Sequence, residues 1–136
     1  MLSPDERWLA YVSDESGRRE VYVRPFPNVD EARWLVSAGG GTEPLWSHSG
    51  RELFYRSGNN DMVAVEILAG QTFSRGELRV LFSMRDYPSV PNHPNYDVGP
   101  DDQRFIMIRL EEGDVESDIV MVVNWFEELK AKAGRE

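Results

Sequence analysis

Apolar and polar residues alternate along this chain in short bursts. Trp8 to Ser13 reads Trp-Leu-Ala-Tyr-Val-Ser, and Glu20 to Arg24 interleaves Val21, Tyr22 and Val23 between charged ends. Arg33 to Ser37 repeats that character. Side chains of a strand point alternately to opposite faces, so this period of two, rich in β-branched and aromatic residues, predicts strands. Asp14-Glu15-Ser16-Gly17 and Pro25-Phe26-Pro27-Asn28 separate them as turns. The same reasoning predicts strands at Glu43–Trp46, Glu52–Ser57, Met62–Glu66, Arg79–Ser83, Asn95–Val98, Arg104–Arg109 and Asp118–Asn124. No stretch before Trp125 has a helical period, so the body of the chain is expected to be all-β. From Trp125 to Ala133 the pattern changes. Trp125, Phe126 and Leu129 are apolar while Glu127, Glu128, Lys130 and Lys132 are polar, which predicts a short amphipathic helix. Asn124 and Glu127 stand where a capping box would place them.

The strands belong to a repeat. Leu2-Ser3-Pro4-Asp5-Glu6-Arg7-Trp8-Leu9-Ala10-Tyr11 aligns with Trp46-Ser47-His48-Ser49-Gly50-Arg51-Glu52-Leu53-Phe54-Tyr55. Both align with Val98-Gly99-Pro100-Asp101-Asp102-Gln103-Arg104-Phe105-Ile106-Met107, at offsets of 44 and 52 residues. A period in this range belongs to propeller blades or helical solenoids, and the strand pattern selects the first. Pro4 presets φ for a turn, Asp5 can bond nearby backbone N–H groups, and Gly50 supplies a positive φ at no steric cost. Glu6 and Asp102 occupy the matching position, where a non-glycine residue adopts the same conformation at modest strain or uses another turn type.

On these residues the chain resembles the TolB-type β-propeller repeat, related to WD-like propellers. The resemblance runs from Ser3-Pro4-Asp5 through the strand Trp8–Val12, Gly17, Val21-Tyr22-Val23 and Gly40-Gly41 to Pro44-Leu45-Trp46-Ser47. The ending from Ile119 to Lys130 is similar to the C-terminal end of propellers in large bacterial proteins. A blade in that family has four strands running outward from a central channel. The resemblance therefore implies the last three strands of one blade, all four of the next and the first three of a third, about two and a half blades. It implies a partial propeller over residues 1–124, with repeats near 2–44, 45–97 and 98–124, and a helix and tail over 125–136. Propellers usually close with about four to eight blades. The chain thus reads as the C-terminal fragment of a larger bacterial propeller. Alone, it would expose two apolar blade faces and unpaired strand edges. The expectation is self-association into a closed ring, as a homodimer first and a trimer second, with a protein or peptide as a further partner.

Composition narrows the function classes. The 136 residues hold 15 Lys+Arg against 24 Asp+Glu, a net charge of −9. That balance argues against nucleic acid, whose phosphates need clustered cations, and against anionic membrane surfaces. No apolar run exceeds the five residues of Ile119 to Val123, too short to span a bilayer, and the first residues show no signal-peptide pattern. With no Cys, disulfides, thiolate metal sites and cysteine nucleophiles are excluded, while the compartment stays open.

Candidate chemistry concentrates in Pro91-Asn92-His93-Pro94-Asn95-Tyr96-Asp97, inside the insertion that lengthens the second offset. This segment leads into an innermost strand beside the central channel, and Glu43 precedes the equivalent strand of the other blade. His93, Asp97 and Glu43, repeated around a ring axis, are candidate ligands for a divalent metal, Zn or Mn. Such a metal would activate water for hydrolysis of an ester, lactone or phosphotriester, with His93 and Asp97 as catalytic candidates. The alternative is a binding face formed by Tyr87, His93, Asn95 and Tyr96, which makes the chain an interaction or scaffold module. Other templates fail. There is no GxSxG elbow, and Gly39-Gly40-Gly41-Thr42 lacks the Lys and following helix of a phosphate loop. Asp101-Asp102 and Glu111-Glu112-Gly113-Asp114 lack calcium-loop spacing.

Overall fold

The structure, a computed structural model, describes residues 1–90, 92–110 and 117–122. Ten strands run in chain order: β1 (Trp8–Ser13), β2 (Glu20–Pro25), β3 (Trp34–Leu35), β4 (Gly41–Trp46), β5 (Glu52–Ser57), β6 (Asp61–Leu68), β7 (Ser74–Ser83), β8 (Tyr96–Val98), β9 (Phe105–Leu110) and β10 (Ser117–Val122). They form three antiparallel meanders, β1-β2-β3, β4-β5-β6-β7 and β8-β9-β10. Among the described residues one blade is complete and two have three strands, the architecture of a partial β-propeller. The expected helix from Trp125 lies outside the described residues.

Alternation decides which face meets which blade. On β5 and β6, Leu53, Tyr55, Val63 and Val65 point toward the first sheet, where they bury Trp8, Ala10, Val21 and Val23. Phe54, Met62 and Ala64 point the other way and bury Tyr96, Val98, Phe105 and Met107 of the third sheet. The middle blade is therefore apolar on both faces. Phe105, fully buried, sits edge-on to Phe54 at 4.9 Å between ring centres and touches Phe82 at 5.5 Å. Edge-to-face packing suits the ring quadrupoles and fixes how the two sheets stack.

The repeated turn before β1, β5 and β9 has one geometry. Ser3 N–H donates to Trp8 O at 2.8 Å, Ser47 N–H to Glu52 O at 2.9 Å, and Gly99 N–H to Arg104 O at 2.6 Å. Glu6, Gly50 and Asp102 all adopt positive φ, 58°, 70° and 58°. The two acidic residues therefore share the glycine conformation rather than a different turn type.

Most strand bounds shift by a residue or two from the sequence pattern, and two changes have a visible cause. Arg33–Ser37 contracts to Trp34–Leu35, because Val36 and Ser37 N–H both turn onto Val21 O, at 2.9 and 3.4 Å, and leave the ladder. Arg79–Ser83 grows to Ser74–Ser83, because β6 continues to Leu68 and β7 follows it across two register shifts.

Candidate functional site

The inner end of the middle blade is built around a break in β4. The ladder between β4 and β5 shifts register between Thr42 and Leu45, and Glu43 within it takes a φ of 54°. This bulge turns the Glu43 side chain inward, toward the third sheet. There it meets Arg56 of β5, whose Nε lies 3.1 Å from Glu43 Oε1. Ser89 Oγ donates to the same oxygen at 2.5 Å, and Asn95 N–H reaches Oε2 at 3.4 Å.

Arg56 spends its other donors on the crossover between β7 and β8. Nη1 donates to Met84 O and Tyr87 O at 3.1 and 3.2 Å, and Nη2 to Pro88 O at 3.2 Å. Asn95 Nδ2 adds a bond to Pro88 O at 3.0 Å. Tyr96 is buried and donates its hydroxyl to Glu43 O at 2.7 Å. Burial first, and the Glu43 charge second, push the Tyr96 phenol well above its ordinary value, so it remains a neutral donor. A planar guanidinium matches this array of carboxylate and carbonyl oxygens in a way an ammonium does not.

The residues singled out from sequence thus separate. Glu43, Asn95 and Tyr96, with the carbonyl of Tyr87, come together as a knot that ties the crossover to β4. His93 stands apart, exposed, with Nδ1 3.1 Å from Pro94 O. Asp97 is exposed on β8, opposite Ile106 in the ladder, and its Oδ1 accepts its neighbour Val98 N–H at 2.8 Å. Among the described residues no group of three or more His, Asp or Glu side chains is gathered to hold a metal ion. His48 is taken up structurally, with Nε2 3.1 Å from Val98 O. Arg56 and Ser89 were missed. The available signal was an arginine inside Leu-Phe-Tyr-Arg-Ser, where alternation places it on the same face as buried Phe54.

Beside the knot lies a cleft of about 610 Å³ between β1 and Thr42–Pro44. Tyr11, Asp14, Arg19 and His93 are among its lining residues, so both signs of charge face it. One wall is the outer edge of β1. Met1 and Leu2 run antiparallel along the start of that edge, with Leu2 bridged to Leu9 and Ala10 N–H donating to Met1 O at 2.8 Å. Shifted by the repeat offset, this is the pairing of Trp46 with Leu53 in the complete blade. Among the described residues, the lane that β4 fills beside β5 is thus begun beside β1 and left open from Tyr11 to Ser13. Such an edge and cleft can take extended polypeptide through main-chain bonds.

No protein-family model matches the chain. A stretch of 56 residues, 40% of the chain, is 43% identical to dipeptidyl aminopeptidase BI of Pseudoxanthomonas mexicana and spans 8% of that enzyme. TolB from Acinetobacter baumannii aligns over 90% of this chain and 39% of its own, at 11% identity and a TM-score of 0.40.

Proposed function

We propose that this chain is an interaction and scaffold module that works as a self-assembled propeller ring. The observation that carries the reading is the asymmetry of the three sheets. Among the described residues the middle sheet is covered on both faces, whereas each outer sheet is covered by another sheet on one. Ile106 and Ile108 stand 38% and 39% exposed on the uncovered side of the third sheet. Apolar blade faces of this kind drive association, and a head-to-tail contact closes into a ring when its rotation allows. Two copies form the preferred ring and three the alternative. The cleft beside β1 is the place for an extended protein or peptide partner, with His93 and Tyr11 at its walls.

Light scattering on the purified chain tests this reading. The expected molar mass is twice the 15.6 kDa of one chain, stable over dilution into the micromolar range. A compact particle of single-chain mass at high concentration would overturn it.

A further inference from the structure

Three repeats in one chain provide an internal template for the contact between copies. Across the offsets of 44 and 52 residues, Leu9, Leu53 and Phe105 are equivalent, as are Tyr11, Tyr55 and Met107. Leu53 and Tyr55 are buried by the sheet before them, and Phe105 and Met107 likewise. Ala10, Phe54 and Ile106 form the opposite set. Ala10 and Phe54 each pack forward, onto the following sheet. Among the described residues two faces have no sheet packed on them: the backward face of the first sheet, with Leu9 and Tyr11, and the forward face of the third, with Ile106 and Ile108.

The two faces differ in their polar groups. Asp97 lies opposite Ile106 in the ladder and so shares its face. On the first sheet, Tyr11 and Tyr22 stack at 5.8 Å, with Arg24 over one ring and Arg33 over the other. One face is apolar with a carboxylate, and the other is aromatic and aliphatic, with Arg33 paired to Glu15 and Arg24 lying 3.7 Å from Asp30.

The turns carry a second, independent precedent. Asp102 of the third turn accepts His48 N–H at 2.6 Å and Ser49 N–H at 2.9 Å from the second turn, a clasp between neighbouring blades. Glu6 holds the Asp102 position in the first turn, with the same φ of 58° and its side chain in solvent. In a neighbouring third blade, Pro100 and Asp101 hold the positions of His48 and Ser49. Proline has no N–H, so one donor remains, that of Asp101.

We infer that a second copy of this chain docks head to tail, Ile106 and Ile108 of one copy covering Leu9 and Tyr11 of the next, with Glu6 of the latter accepting Asp101 N–H of the former. This rests on the self-assembly reading and adds the faces and the register. Ile106 meets Leu9 as Phe54 meets Phe105 within the chain. Glu6 clasps with one bond where Asp102 uses two. A second copy fits because Ile106 holds the position of Phe54 and Leu9 the position of Phe105, the pair that joins the second and third sheets within the chain.

Cross-linking with light scattering tests the inference. The chain has no cysteine, so Leu9→Cys and Ile106→Cys variants can be mixed without background. Under mild oxidation the mixture is expected to give a disulfide-linked pair, and a Leu9→Cys with Leu68→Cys mixture is not. Ile108→Lys, at an exposed position where folding is checked by circular dichroism, puts an ammonium group into the apolar contact. It is expected to weaken association about 100-fold, as loss of a central interface residue does. A parent chain of single-chain mass would sink the self-assembly reading and this inference together. An associated parent that Ile108→Lys leaves intact, with no Leu9–Ile106 cross-link, would sink only the docking proposed here.

Discussion

Glu43 and Arg56 meet 3.1 Å apart inside the protein, with 2% and 4% of their side chains exposed. The pair holds Ser89 and the carbonyls of Met84, Tyr87 and Pro88, so it fixes the crossover between two blades. A buried pair offsets its desolvation only when every remaining donor and acceptor is used, and here five oxygens of the knot are. Arg56→Met is therefore expected to lower stability by about 3–5 kcal/mol, since it leaves a buried carboxylate without its cation and removes the guanidinium bonds to the crossover. Adding Glu43→Gln to Arg56→Met should recover part of that loss. Urea unfolding at fixed protein concentration measures both. A loss below about 1 kcal/mol in Arg56→Met would mean the crossover is held by something else.

The knot also marks where sequence reading runs out. Glu43, Asn95 and Tyr96 could be grouped because the repeat places them at the inner end of adjacent blades. Their chemistry depended on Arg56, which alternation hides among Leu53, Phe54 and Tyr55. The positive φ of Glu43 is equally hidden, because no glycine marks that bulge. The strands were legible for the opposite reason. Most are short and rich in apolar residues, and the turns carry Pro, Gly and Asp. The lengthening of β7 was not legible, because Ser74 to Leu78 faces solvent on most positions and so loses the alternation that reports burial.

Gly99 offers a stabilising change. In the first two turns the serine hydroxyl accepts a backbone N–H, Trp8 to Ser3 Oγ and Glu52 to Ser47 Oγ, each at 3.0 Å. Gly99 lacks that oxygen. A Cβ there would meet Asp101 Oδ1 at 3.2 Å, the end of a side chain, and Arg104 Cβ and O at 3.4 Å. The Asp5 carboxylate already accommodates the equivalent contact, accepting Ser3 Oγ–H at 2.6 Å. Gly99→Ser is expected to raise stability by about 0.5–1.5 kcal/mol, from one hydrogen bond and a stiffer unfolded chain. Thermal unfolding reads it. A lower midpoint would show that Asp101 cannot yield.

Trp46 and Tyr55 anchor the contact between the first two sheets, at 5% and 1% exposure. Trp46 also donates its indole N–H to Met1 O at 3.2 Å, tying the strand start beside β1 to β4. Truncating either to alanine is expected to cost about 3–5 kcal/mol, the range for a buried aromatic. Trp46→Phe should lose less, because it keeps most of the buried area and drops only the hydrogen bond. If Trp46→Ala unfolded within about 0.5 kcal/mol of the parent, the β4–β5 register would be in error.

Glu20 predicts how stability answers to acid. Its side chain is 2% exposed and is held by Ser37 Oγ, by Arg18 Nε at 2.5 Å and by Gly40 N–H at 3.1 Å. Burial pushes its carboxyl up, but the bonds from Ser37, Arg18 and Gly40 outweigh burial and hold it below its ordinary value. The unfolded chain therefore takes the proton first as pH falls. Glu20 contributes its full stability above the ordinary carboxylate value and loses it as pH drops through the lower, folded value. Asp5, held down first by its bond to Ser3, acts in the same direction. Glu52 acts in the opposite one, because burial raises it against the pull of Arg79, so folding favours its protonated form and its contribution fades as pH rises. Glu20→Gln is expected to cost about 1–2 kcal/mol at pH 7, where a charged acceptor becomes neutral. It is also expected to flatten the fall in stability between about pH 5 and pH 3. Urea midpoints across that range, at one protein concentration, compare the two slopes. Parallel slopes in parent and variant would show that the Glu20 carboxyl titrates alike in the folded and unfolded chain, and that Ser37, Arg18 and Gly40 hold its protonated form as firmly as its charged one.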